Sequence, residues 1–322
     1  MPAERNEAHS NLDLLVRAAE SYYLENKTQA QIADLLGIST STVSRLLSRA
    51  RDEGIVRIAI VRPVGRRSNL EQALRRQFGL REAIVVGVPA SAANTEIGRH
   101  TIATAAAPAI DALIKPGLVV GIGRGRSLAA LATALQPLAT PRFVTIVQVM
   151  GEDVSRQSPT RSAELARLLA EMYAGTSHFL NAPALVDDSA LAELLLRTPG
   201  VSEILPLYDR LDIMLVGVGP LRGSALDRNG LLHPAQIDHL EAAGALGDIC
   251  GHFFADDGRF VDAAYPGRAI GISEEQFRRC PCIVAVAGGQ EKVRPLCALV
   301  AARMVHVLVT DESTALQILD SH

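Results

Sequence analysis

Two short runs, IVAVA at residues 283–287 and VHVLV at 305–309, are apolar at nearly every position rather than at every second one. A strand with one wet face alternates, whereas a strand apolar throughout needs cover on both faces. The segments between such runs carry the helical period instead, with apolar residues three or four apart. From residue 69 onward, helices are expected at 69–78, 91–114, 127–136, 160–173, 188–197, 200–205 and 311–320. Strands are expected at 83–88, 117–122, 143–149, near 178–181, and at 211–217, 282–287 and 305–309. The alternation predicts an α/β fold, a doubly wound and mostly parallel sheet between two helical layers. With 322 residues, 48% of them hydrophobic, the chain can fill that core and still carry a smaller domain.

The first 61 residues follow another pattern. Ile32, Ala33, Leu36, Gly37, Ile38, Val43 and Leu46 match a helix–turn–helix template position by position. Thr28 and Gln31 form a T-x-x-Q capping box, Ala33 is small where a second helix must cross, and Gly37 permits a sharp turn. Ser39 would cap a second helix whose apolar positions are Val43, Leu46, Leu47 and Ala50. Its other face carries Thr40, Ser41, Thr42, Ser44, Arg45 and Arg49. Hydroxyls at a helix N-terminus meet phosphates and base edges, and arginine does either. An ordinary helical hairpin with a wet face is the plain alternative, but the complete pattern favours DNA binding, with Thr28, Ser39 and these six residues as candidate contacts. A preceding helix at 11–25 offers Leu12, Leu15, Ala19, Tyr22 and Tyr23 for packing. The run IVRIAIV at 55–61 reads as a strand, one side of a wing. Pro63 and Gly65 then break the pattern, so the domains are placed at 1–61 and 69–322, with a linker at 62–68.

Charge agrees once it is divided along the chain. The total is −3, yet residues 40–68 hold seven arginines against Asp52 and Glu53, a local +5 that leaves −8 elsewhere. Phosphate binding by counterion release needs such local concentration. No apolar run reaches the roughly 18 residues of a spanning helix, and the start MPAERNEAHSNLD lacks a signal peptide's apolar core. A soluble cytoplasmic protein with no membrane partner is therefore expected. Cys280 and Cys282 could join His252 at a metal, but the spacing fits no common zinc pattern, so free thiols and no metal or other cofactor are expected.

Ligands of such sheets collect at the carboxyl ends of strands, where strand order reverses. The loop GIGRGRS at 121–127 falls at one such end. Its glycines admit an anion to backbone N–H groups, and Arg124, Arg126 and Ser127 add charge and a hydroxyl. A dinucleotide fingerprint fails, because Arg126 stands at the third glycine and no acidic residue lies between Asp111 and Glu152. No G-K-[ST] occurs either. A phosphate-sized anion site is expected, its rival a tight turn with exposed arginines. The loop AGGQEK at 287–292 follows another strand, and Lys292 is the only lysine beyond residue 115. It could neutralise an anion, act as an amine nucleophile toward an aldehyde, or simply be solvated at a helix start. GDICGHFFADDG at 247–258 offers Asp248, His252, Asp256 and Asp257 for acid–base work, for sugar hydroxyls or for turn capping, without a spacing that decides among them.

Taken together, TQAQIADLLGIS with TSTVSRLL, GIGRGRS, VGVG at 216–219, GDICGHFFADDG, AVAGGQEK and VLVTDESTA at 307–315 resemble the sorbitol-operon regulator (SorC) family over nearly the whole chain. The resemblance implies a DNA-binding domain and an effector domain related to sugar-phosphate isomerases and deaminases. It also implies a homo-oligomer, dimer or tetramer, and a phosphorylated sugar or polyol as effector. The family's effector residues fall on Gly123, Arg124, Gly125, Arg126, Ser127, Gly219, Asp248, Gly288, Gly289 and Lys292. Arg124 replaces a usual aromatic, Ser127 a threonine, Ala255 an aspartate and His306 an asparagine, which suggests a more anionic or less hydroxylated effector. Two functions are thus weighed: a regulator whose operator affinity answers to a sugar phosphate, and a phosphosugar isomerase or deaminase. The recognition-helix pattern and the local +5 favour the regulator, with no catalytic residue assigned.

Overall fold

The computed structural model describes residues 3–25, 27–56, 65–136, 140–152, 161–261 and 268–321, with side chains from residue 12 onward. The chain divides into two compact units, Met1–Arg62 and Pro63–His322.

In the first unit, helices α1 (Ala3–Tyr23), α2 (Gln29–Leu36) and α3 (Thr40–Asp52) enclose one small core. Thr28 starts α2 as a full capping box: its Oγ1 accepts from the Gln31 N–H at 3.3 Å, and Gln31 Oε1 accepts from the Thr28 N–H at 2.9 Å. Gly37 ends α2 at φ 66°, a left-handed backbone that costs glycine nothing. Leu15, Ala18, Ile32, Val43 and Ala50 are fully buried, each larger one contributing about 1.5–3 kcal/mol. The strand expected at 55–61 does not begin at Ile55. The Val56 N–H bonds back to Ala50 O at 2.9 Å, so the end of α3 captures that backbone; residues 57–61 lie outside the described residues.

The second unit carries ten strands among its described residues: β1 (Glu82–Val86), β2 (Val119–Ile122), β3 (Thr145–Gln148), β4 (Thr176–His178), β5 (Ile213–Val216), β6 (Gly219–Pro220), β7 (Gly247–Ile249), β8 (His252–Phe254), β9 (Ile283–Val286) and β10 (Val307–Asp311). Seven form a fully parallel sheet in the order β1-β10-β9-β5-β2-β3-β4. Alternate residues serve opposite faces: Ile84 and Val86 join one core, Ala83 and Val85 the other. Helices Glu96–Leu113, Arg126–Ala134 and Ser162–Met172 cover the first face; Ser68–Phe78, Val293–Ala301 and Glu312–Asp320 cover the second. From the neighbours β2 and β5 the chain winds outward in opposite directions, through β3 and β4 on one side and β9 and β10 on the other. Loops leaving β2 and β5 therefore diverge and open a crevice at the strands' carboxyl ends.

Three elements differ from the sequence pattern. The helix expected at 91–114 is two, Ala90–Ala93 and Glu96–Leu113, because Thr95 leaves the helix to accept the Gly98 N–H at 3.1 Å. The helix expected at 200–205 forms instead at Leu205–Tyr208, with Pro206 in its first turn. Finally, β6, β7 and β8 make a small antiparallel sheet that the sequence pattern does not predict; two- and three-residue strands are too short to display a period. Cys250 and Gly251 turn β7 into β8 with φ of 52° and 84°, as two-residue hairpins require. In the expected linker, Arg66 bridges Val86, the Arg67 N–H bonds Val85 O at 2.8 Å, and Arg67 pairs with Glu312 at 2.8 Å. Residues 65–67 thus belong to the sheet's edge.

Candidate functional site

On α3 the burial pattern separates two faces. Val43, Leu46, Leu47 and Ala50 point into the core, while Ser39, Thr40, Ser41, Ser44, Arg45 and Arg49 are exposed, Thr42 is half-buried and Thr28 is exposed at the start of α2. Ser39 Oγ accepts the Thr42 N–H at 3.1 Å and lies 2.8 Å from both Ser41 Oγ and Thr42 Oγ1. Arg45 reaches Thr42 Oγ1 at 3.4 Å, and Arg49 pairs with Glu53 at 2.6 Å. An exposed pair of that kind is worth about 0–1 kcal/mol, so Arg49 is readily released to a phosphate. The wet face of α3 carries no acidic side chain before Asp52.

In the second unit, loops following β1, β2, β5 and β9 surround a cavity of about 190 Å³ at the carboxyl end of the sheet. Its lining includes Arg124, Gly125, Arg126, Ser127, Gly219, Asp248 and Lys292, so two loops 165 positions apart at Ser127 and Lys292 face one space. Gly125 precedes helix Arg126–Ala134 with φ 132° and no capping side chain, which leaves the first N–H groups of that helix for another partner. At Gly219 a Cβ would come within 2.6 Å of Asp248 Oδ1, so glycine there lets β6 lie against the carboxylate.

Gly123, Gly288 and Gly289 stand outside the lining and act on the backbone behind it. The Gly123 N–H bonds Leu215 O at 2.9 Å and ties the β2 loop to β5. A Cβ on Gly288 would sit 2.4 Å from Asp311 Oδ2, and the Gly289 N–H donates to Asp311 Oδ2 at 2.9 Å and Thr314 Oγ1 at 3.0 Å. The Gly289 amide thus holds the Lys292 loop to the TDEST segment of 310–314 rather than facing the cavity. Of the four acid–base candidates at 247–258, only Asp248 lines the cavity. His252 stacks on Phe260 with its Nε2 2.8 Å from Ile272 O, and Asp257 accepts the Arg259 N–H. The structure thus disperses that quartet. Cys250, Cys280, Cys282 and Cys297 are free thiols, and among the described residues no His/Cys/Asp/Glu cluster could hold a metal. Nor is any helix among them long and apolar enough to cross a membrane.

Sequence reasoning missed Asn94, Arg99, Arg228 and Asn229, which also line the cavity. Asn94-Thr95 was the available signal for the first pair: an asparagine in a turn before a threonine cap breaks the helix where Asn94 turns inward. Arg228 ends a four-residue helix that carries no motif. Together these side chains set the local field. Burial, then the guanidinium of Arg126, lowers the proton affinity of Arg99 and Arg228. Lys292 falls to about 8, through burial first and then Arg126, Arg99 and Arg228, against the opposing pull of Glu291. Burial raises Asp248 to about 6, with Arg124, Lys292 and Arg228 pulling the other way.

Comparison with known proteins places both units. Residues 62–320 match the sugar-binding domain family (Sugar-bind), and residues 20–53 match sigma-70 region 4, a helix–turn–helix segment. The chain is 31% identical to the sorbitol operon regulator of Klebsiella pneumoniae, over 96% of this chain and 98% of that protein. It is 30% identical to the deoxyribonucleoside regulator of Bacillus subtilis (strain 168), over 94% and 96%. The crystal structure of the full-length sorbitol operon regulator SorC from Klebsiella pneumoniae superposes with a TM-score of 0.72 at 30% identity, covering 96% of this chain and 99% of that one. These relatives are regulators rather than enzymes. The chain is a sugar-responsive, DNA-binding transcription regulator and belongs to the SorC family.

Proposed function

We propose that the cavity at the carboxyl end of the sheet binds a phosphorylated sugar or polyol, and that its occupancy changes the grip of the first unit on operator DNA. The observation that carries this reading is the meeting of Arg124, Arg126, Ser127 and an uncapped helix start with Lys292 in one half-enclosed space. A phosphate satisfies all of these donors at once, and charge-assisted bonds are about twice as strong as neutral ones. Asp248 accepts from the sugar hydroxyls, and Gly123, Gly288 and Gly289 keep both loops in place. Thr28, Ser39, Thr40, Ser41, Thr42, Ser44, Arg45 and Arg49 meet the DNA. The chain acts in the cytoplasm as a homo-oligomer, dimer or tetramer.

Calorimetry with the full chain tests the site. A phosphorylated sugar should bind and its unphosphorylated parent should not. Arg126→Ala and Lys292→Ala should each cost about 1.5–3 kcal/mol of that affinity, with effector-free operator binding unchanged. A matching ligand at about 100 times its dissociation constant should add roughly 2.7 kcal/mol of stability, visible as a raised Tm. Equal binding of parent and phosphate would overturn the reading.

A further inference from the structure

Among the described residues five cations line the cavity, Arg99, Arg124, Arg126, Arg228 and Lys292, against the two carboxylates Asp248 and Glu291. Elsewhere in this unit arginines find partners: Arg66, Arg142 and Arg222 bond carboxylates at 2.6 to 2.9 Å. In the cavity the pattern breaks. Among the described residues, no carboxylate forms an ion pair with Arg99, Arg126, Arg228 or Lys292. Arg99 is held by the Asn94 carbonyl and by Asn94 Oδ1 at 3.0 Å, and Arg228 by the Gly223 carbonyl. Neutral oxygens fix a guanidinium's direction without cancelling its charge. Asn94 Nδ2 in turn donates to Glu291 Oε1, which occupies the carboxylate on that side.

From outside the lining Glu96 pulls against Arg99 and Asp227 against Arg228, neither as an ion pair. A phosphate monoester carries about −1.5 to −2 at pH 7, which Arg126 and Lys292 match at the 124–127 loop, so Arg99 and Arg228 are left without a bonded anion in a partly desolvated space. The cations also come from separate elements. The β2 loop and Lys292 come from the parallel sheet, whereas Arg228 comes from the short helix Ala225–Arg228 after β6, and Arg99 from the first turns of Glu96–Leu113.

Resting on the effector reading above, we propose that the effector carries two anionic groups. Its phosphate sits at the 124–127 loop and Lys292, and a second phosphate or a carboxylate at the other end of the sugar sits between Arg99 and Arg228. Burial first, then Arg126 for both and Arg228 for Arg99, lowers the proton affinity of these two guanidiniums, a cost that an anion between them relieves.

Calorimetry on the full chain with four probes decides it. Glucose 6-phosphate and ribose 5-phosphate carry one anionic group; fructose 1,6-bisphosphate carries two phosphates, and 6-phosphogluconate a phosphate and a carboxylate. A two-anion probe should bind about ten- to a hundredfold more tightly than either monophosphate, one charge-assisted contact's worth. Which of the two does so identifies the second group. Arg228→Gln, at an exposed side chain, should abolish that advantage while weakening monophosphates far less than the two-anion probe; Arg228→Lys should restore part of it. Arg99→Gln should behave alike, with its Tm measured beside it. Monophosphates binding as tightly as two-anion probes, or Arg228→Gln weakening both alike, would overturn the second subsite and leave the effector site standing. Failure of every phosphorylated probe would remove both.

Discussion

Arg45 and Arg49 sit one helical turn apart on α3, yet their positions give them different work. Arg45 lies in the first half of the helix and leans on Thr42, where side chains reach base edges; Arg49 lies nearer the end, against Glu53. Arg45→Ala should weaken specific operator binding by about 1–3 kcal/mol and relax sequence preference. Arg49→Ala should weaken all sequences alike and lower the salt slope by about one. Mobility shifts over a salt series separate the two, and an unchanged specific affinity for the Arg45 variant would refute its role as a reader. Lys292 supplies a pH prediction. Its folded value of about 8 lies below the ordinary 10.5, so between these limits the unfolded chain holds a proton that the folded one does not. Without effector, the cost of burying the ammonium is full below pH 8 and fades as pH rises toward 10.5. With effector the charge is wanted, so sugar-phosphate affinity should fall as pH passes 8. Lys292→Met should show a higher Tm than the parent at pH 7 without effector, and a flat affinity between pH 7 and 9. A parent affinity that stays level across that range would contradict the role of this ammonium.

At the scale of elements, the 121–127 loop shows how glycines differ within one motif. Gly125 adopts φ 132°, a backbone that side chains rarely take, and a Cβ there would meet nothing within 4 Å. Gly125→Ala should therefore cost about 1–3 kcal/mol through strain alone, and misdirect the start of helix Arg126–Ala134. At Gly123 the φ is not positive and the nearest atom to a new Cβ is Leu215 O at 3.5 Å. Gly123→Ala should leave Tm and effector affinity nearly unchanged. Thermal melts and titrations of the two variants, side by side, test the distinction; equal losses would mean that space rather than backbone conformation governs this loop.

For the whole molecule, one recognition helix per chain reads only a few base pairs. Paired subunits should therefore bind paired half-sites whose centres lie about 10–10.5 base pairs apart, or a multiple of that. Light scattering with and without operator DNA checks the assembly, and monomers in both conditions would refute it. Linkage adds a second test. An effector that shifts operator affinity must bind the operator complex with affinity shifted by the same factor, so titrations with and without DNA should differ by the ratio seen in mobility shifts. Equal effector affinity in both states would rule out this control.

The chain's order of residues determined whatever depends on neighbours a few positions apart. The capping box at Thr28, the turn at Gly37, the buried stripe of Val43, Leu46, Leu47 and Ala50, and the parallel character of IVAVA and VHVLV were all legible, because each is set by local periodicity and backbone preference. The β6–β8 sheet was not, since strands of two or three residues show no period, whereas the break at Thr95 had a local signal, an asparagine before a threonine cap, inside an otherwise helical pattern. Membership of the cavity belonged to tertiary structure. Arg126 and Lys292 face one space only because β2 and β9 flank β5 in a parallel sheet, and Arg99 and Arg228 join them from elements without a motif. A charge surplus is a property of distances in space, and strand order, not sequence spacing, sets those distances.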